Sequence, residues 1–241
     1  MSSDAVNKPV HQSAAEKIIV ALDVPNTAEA LQLCDQLPEV QFWKVGLELF
    51  IAAGHEILPI LKERQKKIFL DLKLHDIPNT VGAACRVAAG YGVDFLTIHG
   101  VGGKAMLETA QTAVVGTNTQ LLAVTLLTSI PAAALRDDMQ VNLSVAEYVE
   151  HLAKLAQSVG IAGSVCSPQE LDQLRPVLSD SFQLVTPGIR SVGVASGDQQ
   201  RTLTPKAALG KGANYLVIGR QITTAADPAA AWEELMQEIA S

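Results

Sequence analysis

Eight times along this 241-residue chain a short apolar run is followed by a stretch of helical pattern, and no shift in composition divides the series. The runs fall at residues 17–22, 42–45, 68–70, 93–98, 120–127, 162–166, 182–185 and 215–218. Near-continuous apolar runs of this length are expected of strands covered on both faces. Helical patterns occupy residues 26–37, 47–64, 79–89, 104–113, 145–159, 169–174, 204–210 and 228–240. Residues 128–142 form the longest connection. Strands joined by helical crossovers run parallel, in either a doubly wound sheet or a closed barrel. The dinucleotide fingerprint of the doubly wound fold is missing: Gly210-Lys211-Gly212 lacks the third glycine and precedes a strand. Eight units in roughly 220 residues fit an α/β fold of a single (β/α)8 TIM barrel. The expected organisation is an N-terminal tail over residues 1–15 and a barrel domain over 16–241.

The third run opens the most unusual stretch of the chain, KIFLDLKLHDIPNTV at residues 67–81. Strand side chains alternate faces, so Asp71 and Lys73 point the same way. If that face is the barrel interior, a carboxylate and an ammonium are forced together where water is scarce. Burying charge is costly unless it is paired. Such a pair either fixes strand register or belongs to a catalytic array.

Composition narrows the partners. A hydrophobic content of 48% supports a sizeable core. The net charge of −7, without a basic block, opposes a nucleic acid or an anionic membrane as partner. An anionic substrate would have to be held by a few placed cations. Cys34, Cys85 and Cys166 are odd in number and lack metal-ligand spacing, as expected of core thiols in a reducing compartment. The first fifteen residues lack an apolar signal core, and no apolar run reaches the ~18 residues of a membrane span. The expectation is a soluble, cytoplasmic protein.

In a barrel of this kind, chemistry sits at the C-terminal ends of the strands. The polar residues there are Asp23, Lys44, Asp71, Lys73, Asp76, His99, Thr128, Arg190 and Arg220. Phosphate is commonly gripped by the loops after strands seven and eight. Here those loops read Thr186-Pro187-Gly188-Ile189-Arg190 and Gly219-Arg220, glycines that let backbone N–H groups approach an anion beside forked cations. His75 reads as an orienting group and His99 as either an orienting group or a core residue, and no His/Cys/carboxylate set has metal-ligand spacing. A Schiff-base lysine needs a depressed pKa, whereas Asp71 and Asp76 would keep Lys73 charged. Lys73 is therefore read as a placed proton donor to a carbanion.

The run Asp71-Leu72-Lys73-Leu74-His75-Asp76-Ile77-Pro78-Asn79-Thr80-Val81 resembles the signature of the orotidine 5'-phosphate decarboxylase family in its bacterial form. Ala21-Leu22-Asp23, Trp43-Lys44-Val45-Gly46, Thr97-Ile98-His99, Leu126-Leu127-Thr128-Ser129, Thr186–Arg190 in full and Val217-Ile218-Gly219-Arg220 follow in the family's order. Leu74 departs from the Phe common among relatives. The resemblance implies decarboxylation of orotidine 5'-monophosphate (OMP) to UMP, the last step of pyrimidine nucleotide synthesis, without cofactor or metal. It implies a charged array of Lys44, Asp71, Lys73 and Asp76, with Asp76 and Thr80 supplied across a homodimer interface. Asp23 and Lys44 would hold the ribose, and Thr128 and Ser129 the pyrimidine. Gln199, Gly219 and Arg220 would bind phosphate beside Pro187 and Arg190, with Gln200 the alternative to Gln199. The loop over 188–201 would be the lid. Magnesium-dependent decarboxylases and aldolases that share the DxKxxD pattern carry a metal-binding Glu at the end of strand two, where this chain has Lys44. A catalytically dead barrel would be expected to have lost one member of the array.

Overall fold

The computed structural model describes residues 13–191 and 202–240. After a single 3-10 turn, Ala14–Lys17, the chain enters β1, Ile18–Leu22. The strands that follow are β2 Phe42–Val45, β3 Lys67–Leu74, β4 Phe95–His99, β5 Gln120–Val124, β6 Gly163–Val165, β7 Gln183–Thr186 and β8 Tyr215–Ile218. Each pairs in parallel with the next, and β8 pairs with β1 to close a (β/α)8 barrel.

Alternation along the strands splits the core in two. Ile19, Ala21, Phe42, Phe69, Phe95, Leu122, Val185 and Val217 form a cluster inside the barrel. Val20, Leu22, Trp43, Ile68, Leu70, Leu96 and Ile98 pack outward in the layer shared with the helices. Burial on both sides is why the strands carry no polar alternation. The rings of Phe42, Phe69, Phe95 and Tyr215 plug the interior: the Phe95 centroid lies 5.1 Å from both Phe42 and Tyr215 and 6.0 Å from Phe69. Such tilted and edge-on pairs contribute about 0.5–1.5 kcal/mol each beyond their buried area.

One step further along the same inward columns the chemistry changes. Ala21 is followed by Asp23, Phe42 by Lys44, Phe69 by Asp71, Phe95 by Thr97 and Val217 by Gly219. An apolar plug thus lies directly beneath a polar mouth at the C-terminal ends of the strands.

The helices begin where sequence chemistry sets them. The Asn26 side chain accepts from the Glu29 N–H to start the helix Thr27–Gln36. Ser144 and Glu147 form a reciprocal capping box for Val145–Ser158. The continuous helix expected over 47–64 is broken: Leu47–Ala53 ends at Gly54, whose φ of 62° no ordinary side chain adopts cheaply, and Ile57–Glu63 begins anew. The connection over 128–142 carries a short helix, Ala132–Asp137, behind Pro131. β5 stops at Val124 rather than continuing to residue 127. Among the described residues no helix is long and apolar enough to cross a membrane.

Candidate active site

Four charges of alternating sign cross the barrel mouth. Lys44, at the end of β2 and only 8% exposed, sends Nζ to within 2.7 Å of Asp23 Oδ1 and 3.8 Å of Asp71 Oδ2. Lys73 Nζ donates to both oxygens of Asp71 at 2.8 Å. Asp71 is 9% exposed, so its charge depends on these partners rather than on bulk water. Gly46 makes room for the row. A Cβ there would sit 2.8 Å from Lys44 Nζ and 2.9 Å from Asp23 Oδ1, closer than real side chains approach.

The geometry of β3 is not that of a plain strand. Leu70 pairs with Leu96, but the next paired residue, Leu74, lies opposite Ile98. Four residues of β3 therefore span two of β4, and Lys73 adopts a left-handed φ of 51°. That conformation costs a non-glycine residue about 1–2 kcal/mol. Within the irregular stretch the Lys73 N–H donates to Thr97 Oγ1 at 2.8 Å, and Thr97 Oγ1 donates to Asp71 Oδ1 at 3.0 Å. The sequence had drawn attention to His99 in this strand and passed over Thr97. The available signal was its place as the one polar residue between Phe95 and His99 on the inward column.

Above the array opens a cavity of about 260 Å³. Asp23, Lys44, Asp71, Lys73, Thr128, Pro187, Arg190, Gly219 and Arg220 all line it, with Phe69, Val124, Leu126 and Val217 as apolar wall. Arg220 opens the short helix Arg220–Thr223 directly after β8. The loop after β7 leaves the cavity at Arg190, whose N–H donates to Leu203 O, and Ile189 and Leu203 form a parallel bridge. Gln199 and Gln200, with the rest of the expected lid over 192–201, lie outside the described residues.

Three expected contacts do not line the cavity in the single chain. Asp76 is exposed, with Oδ1 accepting from the Ile77 N–H at 2.6 Å. Thr80 and Ser129 are exposed as well. His75 and His99 lie against one another with ring centroids 5.6 Å apart. Burial, followed by the neighbouring His75 and Lys73, pushes the His99 pKa below its ordinary value, while Asp71 opposes the shift. Among the described residues no group of three or more His, Cys, Asp or Glu side chains is arranged to hold a metal ion.

A closed barrel, a mixed-sign array on β2 and β3, and arginines after β7 and β8 can be compared with known proteins. The sequence model of the orotidine 5'-phosphate decarboxylase / HUMPS family matches residues 16–235. The chain belongs to this family. It is 56% identical over 227 residues to the orotidine 5'-phosphate decarboxylase of Thermosynechococcus vestitus, covering 94% of this chain and 97% of the relative. It is 54% identical over 227 residues to that of Gloeothece citriformis, covering 93% and 98%. The crystal structure of orotidine 5'-phosphate decarboxylase from Lactobacillus acidophilus superposes with a TM-score of 0.83 at 40% identity, covering 93% of this chain and 99% of that one. At the end of β2 this member of the family carries Lys44.

Proposed function

We propose that this chain decarboxylates orotidine 5'-monophosphate to UMP and CO2 in the final step of pyrimidine nucleotide synthesis, within the cytoplasm. The observation that carries the reading is the Asp71 carboxylate, 2.8 Å from the Lys73 ammonium, in the wall of a cavity that Arg190 and Arg220 also line. Asp71 lies against the substrate carboxylate. The bond between C6 and the carboxyl carbon breaks, CO2 departs, and the electron pair stays on C6. Lys73 then gives that carbon a proton, and solvent restores the ammonium. A fixed cation beside a developing negative charge stabilises it without reorganisation at the moment of reaction.

The remaining contacts divide by ring. Asp23 and Lys44 hold the ribose hydroxyls, and Thr128 and Ser129 meet the pyrimidine. Gln199, Gly219 and Arg220 take the phosphate, with Pro187 and Arg190 beside it. Asp76 and Thr80 serve the site of a second copy in a homodimer. Their exposure supports this, as do the bare apolar side chains that follow in the same stretch: Ile77 is 68% exposed and Val87 63%.

The test is loss of orotate absorbance from OMP, followed with purified protein treated with EDTA. Rapid conversion to UMP is expected. A folded protein that leaves OMP intact, or that converts it only when magnesium is restored, would exclude this function.

A further inference from the structure

One inward-facing polar side chain has no part in the mechanism just given. Thr97 sits in the middle of β4, fully buried, between Phe95 of the aromatic plug and His99 at the strand's end. Its hydroxyl accepts from the Lys73 backbone N–H at 2.8 Å and donates to Asp71 Oδ1 at 3.0 Å. The direction of both bonds follows from the count of protons. A peptide N–H only donates and an ionised carboxylate only accepts. The single hydroxyl hydrogen must therefore point at Asp71.

The irregular pairing explains why a side chain is needed here at all. Regular partners stop at Leu70↔Leu96 and resume at Leu74↔Ile98. Lys73 lies inside that gap in a left-handed conformation, where its amide has no strand carbonyl opposite. A buried N–H needs an acceptor, and the Thr97 oxygen supplies it. The same oxygen grips Asp71. One atom thus joins the carboxylate that faces the departing group to the backbone that carries the proton donor.

We infer that Thr97 is a positioning residue for the decarboxylation, fixing where Asp71 and the Lys73 ammonium stand relative to each other. The inference rests on the reading that those two groups perform the reaction. Without the hydroxyl, the Lys73 amide is buried with no acceptor and Asp71 loses one of its donors. Both are then free to drift, while the cavity residues assigned to ribose and phosphate are untouched. Reacting groups displaced by about 1 Å can lose about 10²-fold in rate. The loss should therefore fall on kcat and spare KM.

Two variants separate positioning from packing. Thr97→Val keeps the β-branched shape without the hydroxyl, and Thr97→Ser keeps the hydroxyl without the methyl. With OMP as substrate, and with each variant shown folded by its thermal melt, Thr97→Val should lower kcat about 10²-fold with KM within about threefold. Thr97→Ser should stay within about fivefold of wild type, since the oxygen that sets the geometry remains. A packing role predicts the opposite order, because valine suits a strand better than serine. If Thr97→Val does not fold, Thr97→Ser and Thr97→Ala differ by the hydroxyl alone and carry the same comparison. Equal kcat for wild type and Thr97→Val, or a serine variant as slow as the one lacking the oxygen, overturns the proposal while leaving the enzyme's function intact. A wild type inert toward OMP refutes the function itself, and the proposal falls with it.

Discussion

Replacing Lys73 by methionine removes one ammonium and keeps an unbranched stem of similar length. In the structure that ammonium is the nearest counter-charge of Asp71, at 2.8 Å from each oxygen. Lys44 is 3.8 Å away and is already engaged with Asp23 at 2.7 Å, so it cannot take over. Two contributions to rate vanish together. Positioned proton transfer is worth about 10²–10⁴-fold, and a fixed charge beside the developing carbanion about 10²–10³-fold. Because one ammonium supplies both, their product overcounts, and kcat should fall by about 10⁴-fold or more. That corresponds to about 5.4 kcal/mol of barrier. Stability suffers less. Breaking a buried pair costs about 3–5 kcal/mol, but the Lys73 side chain is 30% exposed and water will partly solvate Asp71. The low end, about 3 kcal/mol, would lower Tm by about 6–12 °C in a chain of this size. UMP has no carboxylate to set against Asp71, and the contacts proposed for its ribose and phosphate lie on other residues. Its affinity, read by calorimetric titration, should stay within about tenfold of wild type, since the lost interaction belongs to the transition state. Turnover of OMP within about tenfold of wild type would refute the assignment of Lys73 as proton donor, because either contribution alone exceeds that. Loss of UMP binding in step with kcat would mean that the substitution had collapsed the pocket.

Three further outcomes are expected. Gly46→Ala places a methyl within 3 Å of both Lys44 Nζ and Asp23 Oδ1, so kcat/KM for OMP should fall about tenfold as the pair is pushed aside, with Tm nearly unchanged because both ends are flexible. Arg220→Ala should reduce kcat/KM for OMP by about 10- to 100-fold, the worth of a charge-assisted hydrogen bond. The nucleoside orotidine should react as before, and equal losses for both substrates would exclude a phosphate contact. His99 has a folded-state pKa below its unfolded value, through burial and through His75 and Lys73. The unfolded chain therefore binds the extra proton, and stability should fall as pH drops from about 6.5 toward the folded pKa. Tm measured at pH 7.5 and 5.5 should decline less in His99→Asn than in wild type, and parallel declines would assign the acid sensitivity to other groups.

The barrel was legible because its eight apolar runs obey a rule that needs no tertiary information: strands buried on both faces are apolar throughout. The level at which Phe42 gives way to Lys44, and Phe69 to Asp71, could be read for the same reason. What the sequence concealed is how β3 delivers Lys73. Simple alternation puts Asp71 and Lys73 on one face, and the structure brings them together, yet through a left-handed residue and an irregular register that alternation does not contain. Thr97 was quoted only as part of a matching segment and given no role, because a lone threonine in an apolar strand is ordinary and its meaning comes from the gap across from it. The break at Gly54 was hidden by the helical periodicity on either side. Asp76, Thr80 and Ser129 could be named from motif likeness, but in the single chain all three are exposed and stand outside the cavity.

The irregular pairing of β3 with β4 has a further consequence, which is one of parity. Side chains alternate with a period of two, and the extra chain on β3 is also two residues, three against one between the flanking pairs. An even surplus restores the facing of everything downstream, so Leu74 resumes the pairing with Ile98 as though nothing had been added. A surplus of one residue would keep that facing only through a bulge, in which two residues oppose one and the strand bends. Single-residue deletions between Leu70 and Leu74 should accordingly cost more stability, read as a lower Tm, than substitutions there, because they disturb the pairing on both sides of the irregular stretch.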